Sequence, residues 1–121
     1  MKTAYIAGPY TADTDEQIAD NIRQARAVLA ELIRAGFAVF CPHTNYAWLE
    51  GEATHDFFMR ACFEHLECVD AVVMLPGWQS SPGACQEYGY ARGMETPVFH
   101  WPADRAKIQA ALKAKSDDDA A

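Results

Sequence analysis

Short apolar runs alternate along the chain with longer segments of helical periodicity, and a glycine- or proline-bearing loop follows each run. The first run, residues 3–7, reads as a strand stopped by Gly8-Pro9. Thr14, followed three residues later by Gln17, has the form of a capping box and predicts a helix start. Ile18, Ile22, Ala25, Leu29, Leu32 and Ile33 then recur at three- and four-residue spacing as one apolar face, and Gly36 suits the left-handed position that closes a helix. Residues 37–40 form a second strand ended by Cys41-Pro42. Residues 43–54 carry no period and read as irregular. A helix is expected over 56–67, with Phe57, Phe58, Ala61, Cys62 and Leu66 inward. Residues 70–75 are the most continuously apolar run, as befits a strand covered on both faces. Ser81 suits an N-cap with Pro82 as first helical residue, and that helix should end near Gly93. A short strand over 97–101 and a helix over 103–115 complete the pattern.

Alternating strands and helices predict an α/β fold: one three-layer α/β/α domain of the flavodoxin or Rossmann kind, with about four to five parallel strands. The domain is expected over 1–115, with 116–121 as an acidic disordered tail. Ligands in such sheets bind beyond the carboxyl ends of the strands, where the strand order reverses. Four loops converge there: residues 8–11, 42–45, 76–81 and 100–101.

Composition narrows the function. The chain has 121 residues, half of them hydrophobic, and a formal charge of −7. Three of the negatives form the run Asp117, Asp118 and Asp119, and the remainder does not make a face for extended nucleic acid. No apolar run has the length of a membrane span, and the first residues lack the features of an export signal, so a cytoplasmic protein is expected. Cys41, Cys62, Cys68 and Cys85 show no CxxC pair, so reduced thiols and no metal are expected.

Candidate chemistry concentrates in the loops. Ser81 and the amides after it, with Gly83 adding no side chain, make a site for an anion or hydroxyl at a helix N-terminus. Glu87 lies six residues on, in the second turn, where it overlooks such a ligand or simply faces solvent. Gly8-Pro9-Tyr10 is neither GxGxxG nor a Walker loop, so no cofactor is expected; a rigid turn presenting a ring to a planar ligand and a packed tight turn both fit. His43 and Asn45 suit hydrogen bonds to a base or sugar, although His43 equally suits a bridge between loop backbones. Gly77 and Trp78 belong to the third loop, and Trp48, Trp78 and Trp101 are many large rings for so small a domain. They suit a planar ligand or a subunit interface about equally.

At these residues the chain resembles the nucleoside 2-deoxyribosyltransferase superfamily, particularly its small DUF4406-type members, over roughly residues 3–101. The likeness rests on residues 5–10, 70–75 and 81–91. It implies cleavage of an N-glycosidic bond, with Glu87 attacking the anomeric carbon of a nucleoside or nucleoside 5′-monophosphate to form a glycosyl-enzyme. Nucleoside transferases of this kind carry a carboxylate six residues before the nucleophile, where the monophosphate N-glycosidases carry serine. Ser81 therefore implies a monophosphate. The resemblance also implies an assisting aspartate where this chain has Cys62, so Asp56, Glu64 and His43 are the remaining candidates for protonating the base. It implies a homodimer or larger homo-oligomer. A silent nucleotide-binding module and a phosphoribohydrolase of the cytokinin-activating kind remain the alternatives.

Overall fold

The structure, a computed structural model, describes the backbone of residues 1–120 and the side chains of residues 1–112. Its four strands are β1 (Thr3–Ala7), β2 (Ala38–Phe40), β3 (Ala71–Met74) and β4 (Val98–His100). They form one sheet in the order β2-β1-β3-β4, and every pairing is parallel. The expected α/β/α domain is therefore present with four strands.

Side-chain alternation along β1 explains the layers. Ala4 and Ile6 join one core with Ala25, Val28 and Leu32 of α1 (Asp15–Ala35) and Ile108 of α5 (Arg105–Ala120). Tyr5 and Ala7 point to the opposite face. There they meet Cys62 and Leu66 of α3 (His55–Leu66), and Ala84 and Ala91 of α4 (Pro82–Gly93). Successive strand residues face opposite ways, so a five-residue strand serves both layers.

The helix ends follow their local chemistry. Thr14 Oγ1 accepts from the Gln17 amide at 3.2 Å, a cap of the kind that contributes about 1 kcal/mol. Gly36 closes α1 at φ 108°, and its amide donates to the Ile33 carbonyl. Ser81 caps α4 by accepting from the Ala84 amide at 3.3 Å, with Pro82 as first helical residue. Asp70 accepts from the Thr3 amide at 2.8 Å and so ties the start of β1 to the approach to β3, a structural role.

Several expectations need correction. Ile33 is 56% exposed, Val28 being buried on its helix instead, and Phe57 is 57% exposed, although Cys62 and Leu66 of the same helix face inward as expected. The segment after β2 is not wholly irregular. It contains α2 (Pro42–Asn45) and a tight turn at Glu50–Glu52. The backbone of α5 runs to Ala120, and the expected tail, 116–121, has its side chains outside the described residues.

Candidate active site

The first of the converging loops, residues 8–11, leaves β1 between its neighbours β2 and β3. The chain goes from β1 to β2 on one side and returns to β3 on the other, so the strand order reverses here. A cleft of about 560 Å³ opens at this place, within the range of small-molecule sites. Gly8, Pro9 and Tyr10 line its centre; Gly77, Ser81 and Gly83 line the β3 side; Pro42, His43 and Glu50 line the β2 side.

Glu87 also lines the cleft, at 7% exposure, and is the one buried carboxylate among the described residues. Ala84, Glu87 and Ala91 share one face of α4 at three- and four-residue spacing, turned toward the sheet. The two alanines let the helix approach, and Glu87 between them is carried below the cleft. Its partner is Tyr5 of β1, whose hydroxyl donates to Glu87 Oε2. Burial pushes the Glu87 carboxyl up to about 7, although the Tyr5 hydrogen bond pulls the other way. Such a group is divided between its two protonation states near neutrality, as a group that does proton or nucleophilic work requires. Tyr5 is itself held far above its ordinary range, chiefly by burial, so it stays a donor.

His43 is buried, and its Nε2 lies 2.9 Å from the Pro9 carbonyl. A carbonyl only accepts, so Nε2 carries the proton. Burial lowers the ring's pKa and keeps it neutral. The ring is a strut that holds the Gly8-Pro9 turn, and of its two expected roles the structure favours the bridge between backbones.

Ser81 Oγ lines the β3 side beside the first turn of α4. Pro82 has no amide hydrogen and the Ala84 amide is taken by Ser81. Gly83 therefore supplies the first-turn amide with no hydrogen-bond partner among the described residues. A hydroxyl, a free amide and the positive end of the helix together favour an anion.

Of the sequence candidates, Asn45 and Trp78 fall outside the cleft lining. Asn45 is exposed at the end of α2. Trp78 is spent on packing: its ring lies 4.6 Å from Tyr88 and 5.9 Å from His100. Asp56 and Glu64 are also absent from the lining. Sequence reasoning missed Tyr5, Tyr46, Glu50, His55, Phe58 and Met59. His55, Phe58, Met59 and Cys62 form one row on α3, running from the rim to the floor. The Tyr5 signal was available, since a tyrosine in a fully buried strand needs a partner for its hydroxyl.

Residues 2–100 match the family model described as "Domain of unknown function (DUF4406)". No curated protein matches the sequence. Among solved structures, the fold is similar to that of the 2-deoxyribosyltransferase from Bacillus psychrosaccharolyticus, a psychrotolerant bacterium. The TM-score is 0.59 at 20% identity, covering 81% of this chain and 70% of that one. Among the described residues, no helix is long and apolar enough to cross a membrane.

Proposed function

We propose, since this chain belongs to the DUF4406 family and buries a glutamate at the floor of its cleft, that it cleaves the N-glycosidic bond of a deoxynucleoside 5′-monophosphate. The observation that carries this reading is Glu87: enclosed, hydrogen-bonded by Tyr5 and poised near pH 7. The likeness of fold to a 2-deoxyribosyltransferase supports it. Ionised Glu87 attacks the anomeric carbon, the carbon–nitrogen bond breaks, and its electron pair leaves with the base, which takes up a proton. Water or a second base then attacks the glycosyl ester and frees Glu87. Tyr5 holds one carboxylate oxygen and leaves the other to react.

Protonation of the leaving base falls to His55 in this reading. Cys62 stands on the floor where the resemblance implies an aspartate, and burial pushes its thiol up to about 11. The proton of His43 is committed to Pro9. The weak acid at Cys62 also favours a second reading, a nucleotide-binding module without turnover. Chromatography of a panel of deoxynucleoside monophosphates separates the two. Released base that disappears in Glu87→Ala supports catalysis, whereas saturable binding without base release supports the module.

Two consequences follow for the substrate and the pH profile. The attacking carboxylate must be ionised, so kcat/KM should fall as pH drops through about 7. A rate that stays flat from pH 8 to pH 5 contradicts Glu87 as nucleophile. Ser81→Asp keeps an N-cap but sets a negative charge where the phosphate is proposed to sit. It should turn the preference from monophosphate toward free nucleoside by about tenfold or more; an unchanged ratio of kcat/KM values places the phosphate elsewhere. The homo-oligomer belongs to the same proposal, because Trp48, Leu49 and Phe57 are exposed apolar residues near the cleft rim. Light scattering after gel filtration reads it directly.

A further inference from the structure

The cleft lining contains a second carboxylate, Glu50, and no lysine or arginine. Glu50 sits in the turn Glu50–Glu52, which follows β2 and α2. Its carboxylate is held by Tyr10, which is itself fixed from two directions. The Trp48 amide donates to the Tyr10 hydroxyl oxygen at 2.9 Å, so the hydroxyl proton is free to go elsewhere, and it goes to Glu50 Oε1. Tyr10 is fixed in turn, because Asn21 Nδ2 donates to its carbonyl at 3.0 Å. Trp48 adopts φ 61°, a left-handed conformation unfavourable for a tryptophan, in the stretch that turns its amide onto Tyr10. Glu50 takes this bond as an acceptor through Oε1. Glu50 Oε2 has no hydrogen-bond donor among the described residues.

The place of Glu50 relative to Ser81 and Gly83 gives this carboxylate a use. The helix end that favours a phosphate follows β3, and Glu50 follows β2, two strands away. Two strand spacings are roughly 10 Å. That is about the reach of a nucleoside monophosphate from its phosphate to the far edge of its base, and Glu87 lines the floor of the same cleft. Tyr10, Tyr46 and Phe58 line the cleft with Glu50 and offer faces to a planar ring.

We propose that Glu50 is the base-selecting residue and that the base it selects is guanine. The inference rests on the monophosphate glycosidase reading above. Guanine presents two adjacent donors, the ring N1–H and the 2-amino group, which meet a carboxylate as a pair of parallel hydrogen bonds. Hypoxanthine lacks the amino donor. Adenine and cytosine set a lone-pair nitrogen beside their amino group, and thymine flanks its single N–H with two carbonyls. Each of these turns an acceptor toward a fixed negative charge and is repelled.

The test compares dGMP, dIMP and dTMP with the wild-type protein and Glu50→Gln, reading kcat/KM for base release and, where turnover is absent, Kd by calorimetry. Wild type should favour dGMP over dTMP by about tenfold or more, with dIMP between them. Glu50→Gln should melt at the wild-type temperature, since Glu50 is exposed, while the dGMP preference collapses to within about threefold. Base release that depends on Glu87 but shows no guanine preference, or a preference that survives Glu50→Gln, overturns the assignment and leaves the glycosidase reading standing. Neither release nor saturable binding of any nucleotide overturns both.

Discussion

Glu87→Gln should abolish base release and, above pH 7, make the protein more stable than wild type. The loss of activity is at least about a thousandfold, because the amide has no anionic oxygen to attack the anomeric carbon. The gain in stability has a separate cause. Burial raises the folded-state pKa of Glu87 to about 7 from an ordinary value of 4.5. The raised value means that the folded protein binds the proton more tightly than the unfolded chain does. Its contribution to stability is therefore complete below about pH 4.5 and is lost as pH rises through 7. A shift of this size corresponds to about 3 kcal/mol at alkaline pH. Glutamine carries no charge at any pH and still accepts from Tyr5, so it escapes the loss. Thermal melts at pH 4 and pH 8.5 read the difference. The two proteins should melt together at the lower pH and differ by roughly 10 °C at the higher, with the variant above. Equal melting temperatures at both values show that the buried carboxylate carries no strain. The pairing of lost activity with gained stability is the usual mark of a group held in place for chemistry.

Gly8→Ala should cost more than any change to an exposed loop residue. A β-carbon at Gly8 stands 2.7 Å from Leu75 Cβ and 2.9 Å from its Cδ1. Both residues sit at the strand ends that build the cleft, and the Leu75 amide is bonded to the Ala7 carbonyl at 2.8 Å. The nearest atom is a β-carbon, which has no rotamer to retreat into, so the ends of β1 and β3 must part. Overpacking of this kind costs about 1–3 kcal/mol. The displaced Pro9 carbonyl also loses its bond to His43, so nucleotide binding should weaken together with stability. Trimming Leu75 to alanine leaves the offending β-carbon in place. The double variant should thus be no more stable than Gly8→Ala, as urea melts with calorimetric binding would show. Recovery of stability in the double variant locates the clash in the leucine's outer atoms instead.

Much of the fold was legible because it is locally specified. Thr14 with Gln17, Gly36, and Ser81 with Pro82 act through backbone groups a few residues away, and each falls where the pattern places it. The continuous apolar run of β3 is buried along its whole length, as expected of a covered strand. Errors arose where burial depends on the distant surroundings of a helix. Phe57 and Cys62 lie on one helix, yet the smaller residue faces the core and the larger faces solvent.

The candidate site divides in the same way. Gly8, Pro9, Tyr10, His43, Gly77, Ser81, Gly83 and Glu87 all line one cleft, because the topology of a parallel sheet brings successive loops to one edge. Trp78 was misleading. Counting rings says nothing about their partners, and Trp78 finds Tyr88 and His100. Tyr5 and Glu50 were missed for opposite reasons. One sits in a strand that reads as core, and the other in a stretch with no period, where only the contact with Tyr10 reveals its place.

If Glu87 becomes bonded to the sugar, mass spectrometry of the protein, acid-quenched during turnover of a deoxynucleoside monophosphate, detects the bond. The expected result is one added deoxyribosyl phosphate, mapped to the peptide that contains Glu87 and absent from Glu87→Gln. An adduct on a different residue, or steady release of base with no adduct even under rapid quenching, would contradict it.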